Sequence, residues 1–364
     1  MHPYYTQQND DYKTWWTAAL ALLMVPLSLF VMITFIFSSD FLGMGERSPK
    51  AMMEGFALKP HVYRQLVPVM ARGIIAFTPT SLERAITDDL SVSLWDNKLF
   101  SQAVKQRHRG GTPLELADSQ LYPFFIICVL DWLFLLGYAY MLWQLAKNLF
   151  PDHFSIHILA PLFGLLALPP FCGKYGYIYD FPVLFLTAWL TLLIVQQRWI
   201  MYCFVFALAT FNKETTLYVF MAFALYGYRE LPRKSWLFYT AIQLVIFSII
   251  KLLLAIYFEG AGGAMLEYRG IYGHLRANLD GYSVYTLLGL GAALALFSYR
   301  WEEKPLLLKC WVGTIPFMIL AWLMFGNRNE YRVFYDIFPA LTLLASHTLA
   351  TALQWKTTAK RNHF

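Results

Sequence analysis

Long apolar runs separated by short polar segments recur along the whole chain, a pattern that predicts membrane-crossing helices. The first run, about Trp15 to Phe37, opens on a tryptophan pair suited to a membrane interface and closes on Ser38-Ser39-Asp40. Further spans are predicted at about 122–145, 156–168, 181–195, 199–211, 216–228, 236–258, 284–298, 306–325 and 333–353. The expected fold is an all-α polytopic membrane protein with about ten transmembrane helices, several of them short or broken. Residues 1–364 read as a single membrane domain.

Two regions depart from plain crossing helices. Spans 156–168, 199–211 and 216–228 hold about 13 residues each, or roughly 20 Å of helix against a hydrocarbon core of about 30 Å. Non-helical backbone at membrane depth survives only where protein shields it or water reaches it, so segment 156–229 points to a polar cavity. Residues 41–120 form the one long loop. In it Val62, Leu66, Val69/Met70, Gly73/Ile74 and Phe77 recur at spacings of three and four, with Arg64 and Arg72 off that row. The spacing predicts an amphipathic helix lying in the interface and bent near Pro68. The stretch 88–118, rich in Gly, Gln, Ser and charge, reads as a mobile segment.

Composition agrees with the pattern: 58% of residues are hydrophobic and 14% charged, against about 25% charged in soluble domains. The net charge of +6 is better assigned to loops facing anionic lipid than to nucleic acid. With the amino terminus in the cytoplasm, the cytoplasmic segments carry twelve Lys and Arg and the short outer loops six. This bias favours both termini inside. Cys128, Cys172, Cys203 and Cys310 have no CxxC spacing and read as core thiols; no metal-ligand spacing occurs among the histidines.

That orientation gathers the unusual polar segments on the outer face. Phe211-Asn212-Lys213-Glu214-Thr215 interrupts an apolar stretch, and each charge there would cost about 2–4 kcal/mol at mid-bilayer. Lys174 to Asp180 forms a polar aromatic hairpin containing Tyr177 and Tyr179. Asn327, Arg328, Glu330 and Arg332 crowd one turn before the last span. Two arginines in a turn suit bidentate recognition of phosphate; the same residues also suit a plain ion-paired interfacial turn. Asp40 is either a solvated helix-end carboxylate or a general base. Arg64 reads as a snorkelling residue or a further phosphate contact. Asp131 and Lys251 are intramembrane charges that pair with each other or join the cavity.

In order along the chain, these features resemble the GT-C class of integral-membrane glycosyltransferases. The points of likeness are Asp40 after the first span, the amphipathic stretch at about His61 to Phe77, and the Tyr-x-Tyr-Asp hairpin at 177–180. The Lys-Glu-Thr turn at 213–215 and the Asn-x-x-Glu-x-Arg turn of Asn327, Glu330 and Arg332 complete the set. The first loop departs from the class in carrying a lone Asp40 where an acidic pair is usual. The resemblance implies a polyprenyl-phosphate-linked sugar donor and a glycan or lipid acceptor at the outer face of a bacterial plasma membrane. It implies Asp40 as the base and Arg328, Arg332, Lys213 and Arg64 as phosphate contacts. Tyr177, Tyr179, Asp180, Asn212, Glu214, Asn327 and Glu330 would then contact substrate. It assigns no metal ligand and leaves a divalent cation open. Two other classes stay in view. One is a transporter or flippase of an anionic or lipid-linked substrate, for which Asp131 and Lys251 speak. The other is an envelope polymerase, ligase or acyltransferase that relies on arginines rather than on Asp40.

Overall fold

The computed structural model describes residues 4–38, 48–95, 118–172, 176–261, 273, 276, 284–326 and 330–353. Among them every regular element is helical. Helix α1 (Tyr4–Ser38) is followed by α2 (Pro49–Glu54), α3 (Leu66–Phe77) and α4 (Thr80–Trp95). Helices α5 (Asp118–Leu149), α6 (Phe154–Leu166), α7 (Asp180–Val195), α8 (Trp199–Asn212), α9 (Leu217–Glu230) and α10 (Arg233–Tyr257) come next. The described chain closes with α11 (Val284–Ser298), α12 (Leu306–Val312), α13 (Ile315–Phe325) and α14 (Phe338–Ala352).

Five segments are long and apolar enough to cross a membrane: Thr14–Ser38, Gln120–Leu149, Phe154–Phe171, Arg233–Tyr257 and Leu306–Phe325. This is the character of an integral membrane protein. The remaining predicted spans are helices of 14 to 16 residues, near 21–24 Å at 1.5 Å per residue; α8 and α9 are as short as expected, α14 is shorter, and the third span, expected to be short, is long enough with its terminal turn.

Helix α7 is the axis of the packing. Thirteen of its sixteen residues are buried, from Asp180 to Ile194, because α5, α8 and α14 all lie against it. An apolar helix with no polar face can only sit inside a bundle. Side-chain bonds tie the bundle where apolar packing alone gives no directional preference. Trp311 Nε1 of α12 donates to Thr191 Oγ1 of α7 at 3.2 Å, and the Tyr202 hydroxyl of α8 donates to Gln243 of α10 at 2.7 Å. Trp132 Nε1 of α5 donates to Ser28 of α1 at 3.0 Å. Helix α10 keeps a row of large apolar side chains outward, including Val245, Ile249, Leu252 and Ile256.

Several boundaries differ from expectation. The helix of the first span extends back through the polar residues to Tyr4. The α-helix of the third span ends at Leu166, close to the predicted Leu168, and a 3-10 turn at Pro169–Phe171 prolongs the apolar segment. The ninth span is two helices, parted at Gly313 and Thr314, where Pro316 starts the second. The tenth begins as a 3-10 turn, Tyr331–Phe334, and becomes α-helical only at Phe338. Pro68 does not bend α3; it sits in the first turn, where its missing N–H costs nothing. Part of the stretch expected to be mobile is the end of α4, whose helix continues to Trp95; residues 96–117 lie outside the described ones.

Helix α3 buries Leu66, Val67, Pro68 and Ala71 and turns Val69, Met70, Ile74 and Phe77 outward, the last 91% exposed. Most of the expected apolar row therefore faces away from the protein. That is the side a lipid interface would cover.

Candidate functional site

Short helices leave their polar ends at one end of the bundle, and there the ends meet. The turn 177–179 leads into α7, Lys213 ends α8, and the 3-10 turn Glu214–Thr216 leads into α9. The 3-10 turns His61–Tyr63 and Tyr331–Phe334 pack onto them from distant parts of the chain. Gln65 N–H donates to the Phe211 carbonyl at 3.1 Å, which locks the amphipathic segment to the end of α8.

Tyr179 is the hub. Its ring stacks on Tyr177, with centroids 5.4 Å apart and planes 5° from parallel. The Arg64 guanidinium lies 4.2 Å from the Tyr179 centroid, and that of Arg332 lies 4.3 Å from the Tyr177 centroid. Each ring thus has a guanidinium against it, and that of Arg332 is also 5.6 Å from the Tyr179 centroid. Lys213 Nζ is 5.7 Å from the Tyr179 centroid. The Tyr179 hydroxyl accepts from Arg332 at 3.1 Å and sits 3.2 Å from His61 Nδ1, where it can donate. Burial raises the Tyr179 phenol pKa well above its usual value, against the pull of Arg332 and Arg64, so the proton stays on oxygen.

Carboxylates balance the cations in defined pairs. Arg64 grips Glu214 through both ends of the carboxylate, with Nε to Oε2 at 3.2 Å and a second bond from Nη2 to Oε1. Arg332 reaches Asp180 at 3.3 Å and also bonds Glu330. Asp180 accepts as well from the Tyr177 N–H at 2.9 Å, which closes the hairpin onto the start of α7. Asn212 donates to the Tyr179 carbonyl at 3.1 Å. Burial alone would raise the Glu214 pKa, but Arg64, with a smaller contribution from Lys251, reverses this and holds it well below the carboxylate range.

Of the residues singled out in the sequence, Arg64, Tyr177, Tyr179, Asp180, Asn212, Lys213, Glu214, Glu330 and Arg332 lie in one connected cluster. Asp40, Asn327 and Arg328 lie outside the described residues. Arg64 is no snorkelling side chain; it is buried and ion-paired. Asp131 and Lys251 do not pair with each other. Lys251 lies in the field of Glu214 and Arg64, whereas Asp131 lies in that of Asp180.

Two members of the site carry no recognisable sequence signal. His61 packs 4.7 Å from Tyr177. Asp336, buried just before α14, faces Lys213. Burial pushes the Asp336 carboxyl up to about 6, with Lys213 holding it back, and burial lowers Lys213, countered chiefly by Asp336 and Asp180. Asp336 sits where an apolar run makes a single polar letter look incidental. Only the observation that the predicted tenth span starts late, after a non-helical turn, could have marked Asp336.

Set against protein-family models, characterised proteins and solved structures, the chain matches none.

Chemically, the cluster combines fixed cations, a phenol and carboxylates at the end of an apolar bundle. Such a set suits an anionic headgroup whose tail remains in lipid.

Proposed function

We propose that the protein is a membrane-embedded transferase of the GT-C type, which takes a sugar from a polyprenyl-phosphate carrier and hands it to a glycan or lipid acceptor. The observation that carries this reading is the convergence of Arg64, Lys213 and Arg332 around Tyr179, at the end of a bundle of apolar helices. A polyprenyl tail needs apolar helix surface, and its phosphate needs cations held without freedom to reorganise. In this reading Arg332 and Lys213, with Arg328, stabilise the departing phosphate. Arg64, bound to Glu214, orients the Tyr179 ring between them. Asp40 serves as the acceptor's base and follows α1, whose Phe35 ring packs 4.5 Å from Phe181 beside Asp180. The site would open on the outer face of a bacterial plasma membrane, with about ten crossings and both termini in the cytoplasm. A divalent cation is neither required nor excluded by this chemistry.

The test is transfer of radiolabelled sugar from polyprenyl-phosphate donors by the purified full-length protein. Lys213→Met and Arg332→Lys should each lower transfer at least tenfold, the second because lysine cannot reproduce the fork of Arg332. Wild-type protein that binds no polyprenyl phosphate would sink the reading.

A transporter of lipid-linked or anionic substrate is the second reading. It is favoured by Asp131, whose two carboxylate oxygens are buried without a hydrogen-bond partner in α5, and by the similarly placed Lys251. It predicts movement of intact carrier across a vesicle membrane with no sugar released.

A further inference from the structure

Buried polar atoms in native proteins almost always find a partner, so a group of unsatisfied ones marks a place where something else binds. Such a group lies beside the cation cluster. Asn212 is buried, and its Oδ1 accepts no hydrogen bond among the described residues. Lys213 is 4% exposed, and its ammonium neither donates a hydrogen bond nor forms an ion pair among them. Among the described residues Thr215 Oγ1 and Oδ2 of Asp336, which is 2% exposed, find no partner of full hydrogen-bond geometry. Lys213 and Asp336 lie in each other's field, and Thr215 is within side-chain reach of Asp336. Elsewhere in the cluster the charges are paired, Arg64 with Glu214 and Arg332 with Asp180 and Glu330, although Arg332 Nε finds no partner among the described residues.

The chemistry of this gap is mixed. Asn212 and Asp336 offer acceptors, Lys213 offers donors, and Thr215 offers either. A bare phosphate satisfies the lysine but is repelled by the carboxylate. A hydroxyl satisfies both, donating its proton toward Asp336 and accepting from Lys213. We propose that the gap between Lys213 and Asp336, walled by Asn212 and Thr215, binds a sugar hydroxyl of the substrate, with Asp336 as its charge-bearing acceptor. The proposal rests on the phosphate-carrier reading and adds to it a sugar-recognising pair that sits next to the phosphate contacts. Lys213 then serves both parts of the substrate. Glu214 and Tyr218 also lie in the field of Asp336.

The decisive experiment compares two probes on the detergent-solubilised full-length protein: a short-chain polyprenyl phosphate, and the same lipid carrying a hexose on its phosphate. In wild type the hexosyl lipid should bind about tenfold tighter or more, as expected for a charge-assisted hydrogen bond. Asp336→Ala should abolish this difference, with the bare lipid binding no more weakly than it does to wild type, because the repelling carboxylate is gone. Asp336→Asn, which keeps the shape, should retain part of the difference, and Thr215→Val should reduce it several-fold in protein with an undisturbed fold. Equal affinities in wild type, or a difference that survives Asp336→Ala, would assign the gap to a buried water and overturn the proposal. The phosphate reading would stand in that case. Failure of both lipids to bind would overturn the two together.

Discussion

Replacing Arg332 with methionine tests whether the cluster is held together by the pairs described above. The guanidinium and its partner Asp180 are both buried, 8% and 0% exposed, and lie 3.3 Å apart. Removing one partner of a buried pair costs about 3–5 kcal/mol, because the other charge is stranded. Asp180 keeps the Tyr177 N–H at 2.9 Å, which puts the loss toward the low end. Loss of the cation over the Tyr177 ring adds about 1–2 kcal/mol for a desolvated contact. The expected destabilisation is therefore about 4 kcal/mol, read from SDS-driven unfolding in mixed micelles. Most of it should come from the stranded carboxylate, so Asp180→Asn on the same background should recover about 2 kcal/mol. A loss below about 1 kcal/mol, or a double variant whose loss is the sum of the two single losses, would refute the reasoning.

Three further outcomes are expected. Because burial raises the Asp336 pKa to about 6, the native form holds this proton more tightly than the unfolded form does, and the group is ionised at pH 7.5 at a cost to stability. Its contribution to stability is full below the unfolded value near 4 and is lost as pH rises through 6. Asp336→Asn should thus be more stable than wild type at pH 7.5, by up to about 3 kcal/mol, and equal to it near pH 4, as measured by unfolding at the two values. Lys304 donates to the Leu344 carbonyl at 3.0 Å and to Thr348 at 2.9 Å from a buried position. Lys304→Met should cost about 1–3 kcal/mol in the same unfolding assay, and a neutral result would mean that these bonds do not hold α14. Phe77→Trp should give blue-shifted fluorescence that brominated lipid quenches strongly. Emission typical of water would show that the outer row of α3 does not touch lipid.

Much of the helical pattern was legible because a long apolar run admits few alternatives. The cluster was legible because charges inside such runs need an explanation: Lys213, Glu214 and Arg332 stood out for that reason alone. Their partners were harder. Nothing in the sequence links Arg64 to Glu214, 150 residues away, and an interfacial arginine next to an amphipathic row looks the same whether it reaches outward or inward. Pro68 misled because proline disrupts a helix interior yet is tolerated in a first turn. The break at Gly313 was invisible because both halves of Leu306–Phe325 are equally apolar. The full burial of α7 follows from its lack of any polar face, although only the packing of its neighbours shows it.

The pairing of distant residues also sets an order of assembly. Arg64 enters the membrane 150 residues before Glu214 is made, and Asp180 precedes Arg332 by 152. At about 5–20 residues per second, each charge waits on the order of ten seconds or more for its partner. During synthesis, then, the nascent chain holds uncompensated charges beside lipid, and the hub around Tyr179 closes only when the last helix arrives. A ribosome stalled between α9 and α14 would leave Arg64 satisfied and Asp180 still waiting, so the final two helices act as the latch of the whole bundle.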